Sequence, residues 1–197
     1  MTQNALAALA LFAFVTSITP GPNNLMLMAS GANFGLRRTI PHMLGVGLGF
    51  VAMTIGVGVG LMQVFDAFPV AYEVLKIVGA LYMLWLAWKI ARAAPPEGGR
   101  TTGRPLTFLQ AGAFQWVNVK AWAMAVTAVS LYAPTRSLEA VALVAVIFGI
   151  VNLPSVGVWA VMGVQVRRWL RSPARLRAFN WTMAALLVLS LWPMLDL

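Results

Sequence analysis

The chain is predicted to be an all-α membrane protein with six transmembrane helices in an inverted 3+3 repeat, its first and fourth helices broken. Three observations predict this. Of 197 residues, 60% are hydrophobic and only 10% charged, whereas soluble domains run near 25% charged; mean hydropathy is +0.82. Apolar stretches, each long enough to cross ~30 Å of hydrocarbon, recur six times. Basic residues gather in alternate connections between those stretches, the asymmetry that sets membrane topology.

The spans are expected at about 4–35, 39–65, 69–93, 106–131, 137–164 and 177–195. The first charged side chain is Arg37. The N-terminus therefore lacks the basic region of a cleaved signal peptide, and the first span is expected to be retained. Late in that span stands Thr19-Pro20-Gly21-Pro22-Asn23-Asn24. Two prolines and a glycine remove donors and loosen the backbone where lipid offers no replacement partners. Such a break persists only where it is buried in protein or lines a polar cavity. Pro20, Gly21 and Pro22 are the expected hinge.

The second span holds Gly45, Gly47, Gly49, Gly56, Gly58 and Gly60. Gly45/Gly49 and Gly56/Gly60 are small-x-x-x-small pairs, which predict close helix packing; a flexible gating helix is the alternative. Pro41 suits a first helical turn. His42 beside it is expected to be structural, with cytoplasmic pH sensing as the alternative. After the third span, 94–105 is rich in proline and glycine and is the expected cytoplasmic linker. It divides one transmembrane domain, 1–197, into halves 1–93 and 106–197. Each half has an odd number of spans, so a repeat between them must be inverted.

The fourth span carries Asn118 and Lys120 near its middle, a positional counterpart of the break in the first. Polar interruptions at matching places of two halves point to a central transport site. In the fifth span Pro154 follows Asn152 and predicts a kink.

Arg37 and Arg38 follow the first span. Lys89, Arg92, Arg100 and Arg104 follow the third, and Arg167, Arg168, Arg171, Arg175 and Arg177 the fifth. These are 11 of the 14 basic residues. The positive-inside bias puts these connections in the cytoplasm and both termini on the periplasmic side.

Lys120 lies roughly 20 Å from either end of its span at helical rise. A central lysine costs about 2.5–3.5 kcal/mol on insertion scales, so it needs a partner or water. Asn23, Asn24 and Asn118 share its depth. A half-helix starting near Pro22 would aim unpaired N–H groups and partial positive charge into the site. With the Lys120 ammonium, that favours a carboxylate. Carbonyls freed near Thr16–Ile18 would accept from an ammonium, so the set suits a zwitterionic amino acid. The alternative is that these residues only satisfy the broken backbone. No Asp or Glu stands at mid-depth, which favours neutral substrates.

Other classes find little support. Cysteine is absent and His42 is the sole histidine, so neither cofactor nor metal is expected. No basic stripe with interleaved aromatics suggests nucleic acid. No HExxH, acid pair or serine–base pair suggests an enzyme. A lipid or ion transporter of related plan is the competing reading.

The combination of TPGPNN in the first span, LKIVGALYMLWLAWKI in the third and NVKAW in the fourth resembles the LysE/RhtB amino-acid exporters. Many members of that family have proline where Val119 stands. The cysteine/O-acetylserine exporter branch is similar in carrying NVK. Several members also place an acid near Phe50. The resemblance implies a bacterial inner-membrane exporter of amino acids or their derivatives, driven by proton motive force. The partners it implies are a small amino acid, protons and the bilayer, with self-association open.

Overall fold

The computed structural model describes residues 1–61, 63, 67–93, 103–135, 137–170 and 172–192. Most of the expected linker lies outside the described residues, as do Arg100 and Arg171. Every regular element among the described residues is helical. The helices are α1 (Gln3–Ile18), α2 (Pro22–Phe34), α3 (Leu36–Gly56), α4 (Pro69–Ala91), α5 (Phe108–Gln115), α6 (Val119–Tyr132), α7 (Leu138–Arg167) and α8 (Pro173–Leu189). A π-helical segment, Val57–Leu61, extends α3.

Side-chain caps account for four of the eight described helix starts. The hydroxyls of Thr2, Ser137 and Ser172 accept the N–H groups of Ala5, Ala140 and Arg175 at 3.2–3.3 Å. Thr107 and Gln110 form a reciprocal capping box at the head of α5. In contrast, α2 and α6 begin inside the bundle, at Gly21 and Asn118, and neither has a side-chain cap.

Three stretches are long and apolar enough to cross a bilayer singly: Leu36–Leu61, Glu73–Ala91 and Leu138–Arg167. The α1–α2 pair, bent by 57° at its break, makes a fourth. The α5–α6 pair and the 17-residue α8 fall short of that measure as single helices.

The long α7 is the centre of the bundle, packing against α1, α2 and α3, while α4 pairs with α8. Small residues set the close approaches. A Cβ on Gly49 would lie 2.6 Å from Gly112 Cα, so α3 and α5 meet nearly backbone to backbone. The packing expected of Gly45 and Gly49 is therefore present. Gly60 has another role: its φ of 107° ends the π-helical segment in a conformation that suits glycine.

Two expectations at the start of the second span need correction. The α3 helix begins at Leu36, separated from α2 only by Gly35 (φ 80°), so Arg37 and Arg38 lie in its first turn. Pro41 sits inside this helix rather than at its start.

Hydrogen bonds link the start of α3 to the segment before α5, and the ends of α2 and α4 to α8. Arg38 donates to the Gly103 carbonyl at 3.1 Å. Asn33 at the end of α2 pairs with Asn180 of α8, which also donates to Ala93 beyond α4.

Candidate functional site

The two helix breaks face each other. In the first, α1 stops at Ile18 because Pro20 cannot continue it and Thr19 is extended. The second forms without proline. Successive N–H groups of Trp116, Val117 and Asn118 bond to carbonyls three residues back, at 3.1–3.2 Å. That tightening winds α5 down. Asn118 is then extended (φ −96°, ψ 101°) and α6 starts afresh at Val119. The helical run from Phe108 to Tyr132 is thus broken despite Val119.

A small, partly open cavity lies between the breaks. Gly21, Pro22, Asn23, Asn24, Asn118 and Lys120 all line it, so the structure brings together the residues singled out from sequence. Pro20 adjoins them and contributes its carbonyl to Lys120. Phe50 supplies an apolar wall and packs on Phe148, ring centroids 4.9 Å apart.

The hydrogen bonds divide these residues by role. Asn24 donates to the carbonyls of Ser17 (2.8 Å) and Thr19 (2.7 Å). Lys120 donates to Thr19 O (2.8 Å), Thr19 Oγ1 (3.0 Å) and Pro20 O (3.2 Å). Those acceptors match the three donors of an ammonium. Trp159 Nε1 donates to Ile18 O at 3.0 Å. Thr19 itself supplies Val15 O and Thr16 O, through its amide and its hydroxyl. Every carbonyl from Val15 to Pro20 thus has a protein donor. The expectation that free carbonyls near Thr16–Ile18 await a substrate ammonium is therefore corrected: packing has already supplied their partners.

Gly21 permits the lysine latch. A Cβ there would stand 2.8 Å from Lys120 Cδ and 3.1 Å from its Nζ. The requirement is for space, since Gly21 is fully extended at φ 179°.

Asn23 and Gln115 join the two breaks through reciprocal amide bonds of 2.8 and 3.1 Å. Gln115, fully buried, also donates to Ala111 O at 2.9 Å. Sequence reasoning missed Gln115, Ser17 and the part played by Asn152. Asn152 donates to Ser17 Oγ at 3.0 Å. A polar amide two residues before Pro154 in an apolar span was the available signal.

What remains open is consistent in chemistry. Asn118 Oδ1 and Asn152 Oδ1 are buried and have no hydrogen-bond partner in the protein. Both residues line the cavity and are 2% and 4% exposed. The first intrahelical bonds of α2 and α6 run from Leu25 to Gly21 (3.0 Å) and from Trp122 to Asn118 (3.1 Å). The N–H groups of Asn23, Asn24, Lys120 and Ala121 precede them and have no place in the helical ladder. The cavity thus presents two positive helix ends and two acceptor oxygens.

An apolar helical bundle with two interrupted helices around a polar cavity defines a membrane transport protein. The comparisons agree. The LysE type translocator family matches residues 14–190. The cysteine/O-acetylserine efflux proteins of Escherichia coli (strain K12) and Shigella sonnei (strain Ss046) are each 34% identical over 192 residues. Those alignments cover 95% of this chain and 96% of each relative. No solved structure matches the chain. The chain belongs to the LysE family of translocators.

Proposed function

We propose that the protein exports a small neutral amino acid or derivative, of the cysteine and O-acetylserine kind named for its relatives, across a bacterial inner membrane. The observation that carries this reading is the pairing of opposite chemistries in one cavity. The α2 and α6 N-termini attract a carboxylate through unpaired N–H groups and helix dipoles. The orphaned oxygens of Asn118 and Asn152 accept from an ammonium. Asn23, Asn24 and Lys120 hold the two breaks in place, and the Lys120 charge adds to the carboxylate field.

In this reading the chain crosses the membrane six times. The α5–α6 pair forms the second broken span and α8 the last. The two halves, 1–93 and 106–197, are inverted repeats, and 94–105 joins them. The basic connections face the cytoplasm and both termini the periplasm. Alternating access arises when the halves rock about Pro20–Pro22 and Trp116–Asn118, driven by proton motive force. The meeting of Arg38 with Gly103, and of Asn180 with Ala93, supports the placing of the odd connections on one side.

The test is counterflow in proteoliposomes with cysteine, O-acetylserine and other neutral amino acids, with and without a pH gradient. Asn118→Leu is expected to lower exchange about tenfold or more, since a hydrogen bond to a charged group is worth about 1.5–3 kcal/mol. Wild-type exchange by normally inserted Asn118→Leu and Lys120→Met proteins would overturn the reading.

A further inference from the structure

A second, partly open cavity lies between α2, α3, α4 and the segment from Arg104 to Leu106. It shares no lining residue with the central cavity. Met26, Leu86 and Ile90 give it apolar walls. Two of its polar residues are already engaged: Ser30 pairs with Thr39 at 2.8 Å, and Asn33 with Ala29 O and Asn180.

Three groups remain. His42 is 1% exposed, and neither of its ring nitrogens has a hydrogen-bond partner in the protein. Any imidazole carries at least one N–H donor, and leaving it buried and unpaired is unfavourable. Lys89 faces the same space with Trp85 beside its ammonium, 5.2 Å from the ring centroid. Arg104 stands at the exposed edge. Among the described residues, no carboxylate lines this cavity. Two cations and a buried imidazole donor thus converge on an apolar cleft, the layout of a ligand pocket with a few polar anchors.

We propose that this cavity is a second binding site, which takes a small organic carboxylate with an apolar tail. Lys89, Arg104 and the His42 N–H hold the carboxylate, and Met26, Leu86 and Ile90 pack the tail. The site goes beyond the central one and does not depend on what that one transports. An acidic lipid headgroup would offer related anionic chemistry, so the test separates the two sources.

The full-length protein in neutral detergent is titrated with 4-methylpentanoate and with its uncharged amide, followed by calorimetry. Saturable binding of the carboxylate is expected, about tenfold tighter than the amide, and weakened about tenfold or more in Arg104→Gln and Lys89→Gln. The Asn118→Leu protein should bind it as wild type does, which places the ligand outside the central cavity. Added phosphatidylglycerol should leave the affinity unchanged. Absence of saturable binding, equal affinity for the amide, or insensitivity to both cation substitutions would overturn the proposal. Competitive displacement by phosphatidylglycerol would also overturn it, in favour of a lipid site. Arg104→Gln alters an exposed position, so its unfolding temperature should match wild type and keep the comparison valid.

Discussion

Asn23 and Gln115 bind each other twice, at 2.8 and 3.1 Å, although 92 positions separate them in sequence. Each amide gives one donor and one acceptor, so removing Asn23 takes a donor from the Oε1 of fully buried Gln115, and removing Gln115 takes both bonds from half-buried Asn23. Replacing Asn23 or Gln115 with alanine should each cost about 1–3 kcal/mol. The double variant should cost less than the sum, with a coupling of about 0.5–3 kcal/mol. Unfolding measured in detergent for the four proteins of the cycle decides this; strict additivity would show that the pair is not coupled.

Asn24 serves the break only as a donor. Asn24→Asp keeps the shape but replaces two N–H donors with oxygens that face the Ser17 and Thr19 carbonyls. It should destabilise more than Asn24→Ala, which is merely a loss. The order of the two unfolding midpoints is the readout.

Gly21 and Lys120 should behave as one unit. Gly21→Ala is expected to push the lysine off the Thr19 and Pro20 carbonyls and to reduce export as strongly as Lys120→Ala. Added to Lys120→Ala, the same methyl should have little further effect. If Gly21→Ala were silent with Lys120 present, the close approach of the two would have no functional weight.

The chain has no cysteine, so a single introduced thiol reports without background. Ser17→Cys places it at the buried end of α1. With Lys120 intact its alkylation should be slow. Lys120→Met should speed labelling about tenfold, the equivalent of ~1.4 kcal/mol of local opening.

The backbone contact between α3 and α5 predicts a steric penalty. Gly49→Val would drive methyl groups into Gly112 and wedge the helices apart, at about 1–3 kcal/mol. Gly47→Val should be milder, because a Cβ there meets only the Leu153 side chain, at 3.4 Å or more. A thermal-shift comparison of the two variants checks the difference.

Much of the site can be read from residue types. Proline and glycine in an apolar span announce the first break, and Asn118 with Lys120 announces the second. The all-helical fold follows from hydropathy. What residue types do not carry is which donor meets which acceptor. The Ile18 carbonyl looked free because its partner, Trp159, lies 141 positions away, and the Thr19 and Pro20 carbonyls beyond it meet Lys120, 101 and 100 positions away. Gln115 reads as an ordinary polar residue until α5 is packed beside α2. His42 stands near the expected start of the second span, yet it is buried in the interior. Side chains such as Trp122, which donates to Trp116 O at 2.8 Å, acquire a role only once the second break exists.

The donors that serve the end of α1 come from three different helices: Asn24 from α2, Lys120 from α6 and Trp159 from α7. The end of α1 therefore cannot loosen in stages, since freeing it from one neighbour leaves it tethered by the others. It moves as a lock with several tumblers does, only when all are lifted together. Under the proposed alternating access, half-open forms should accordingly be short-lived, which keeps the pathway from leaking as the halves rock.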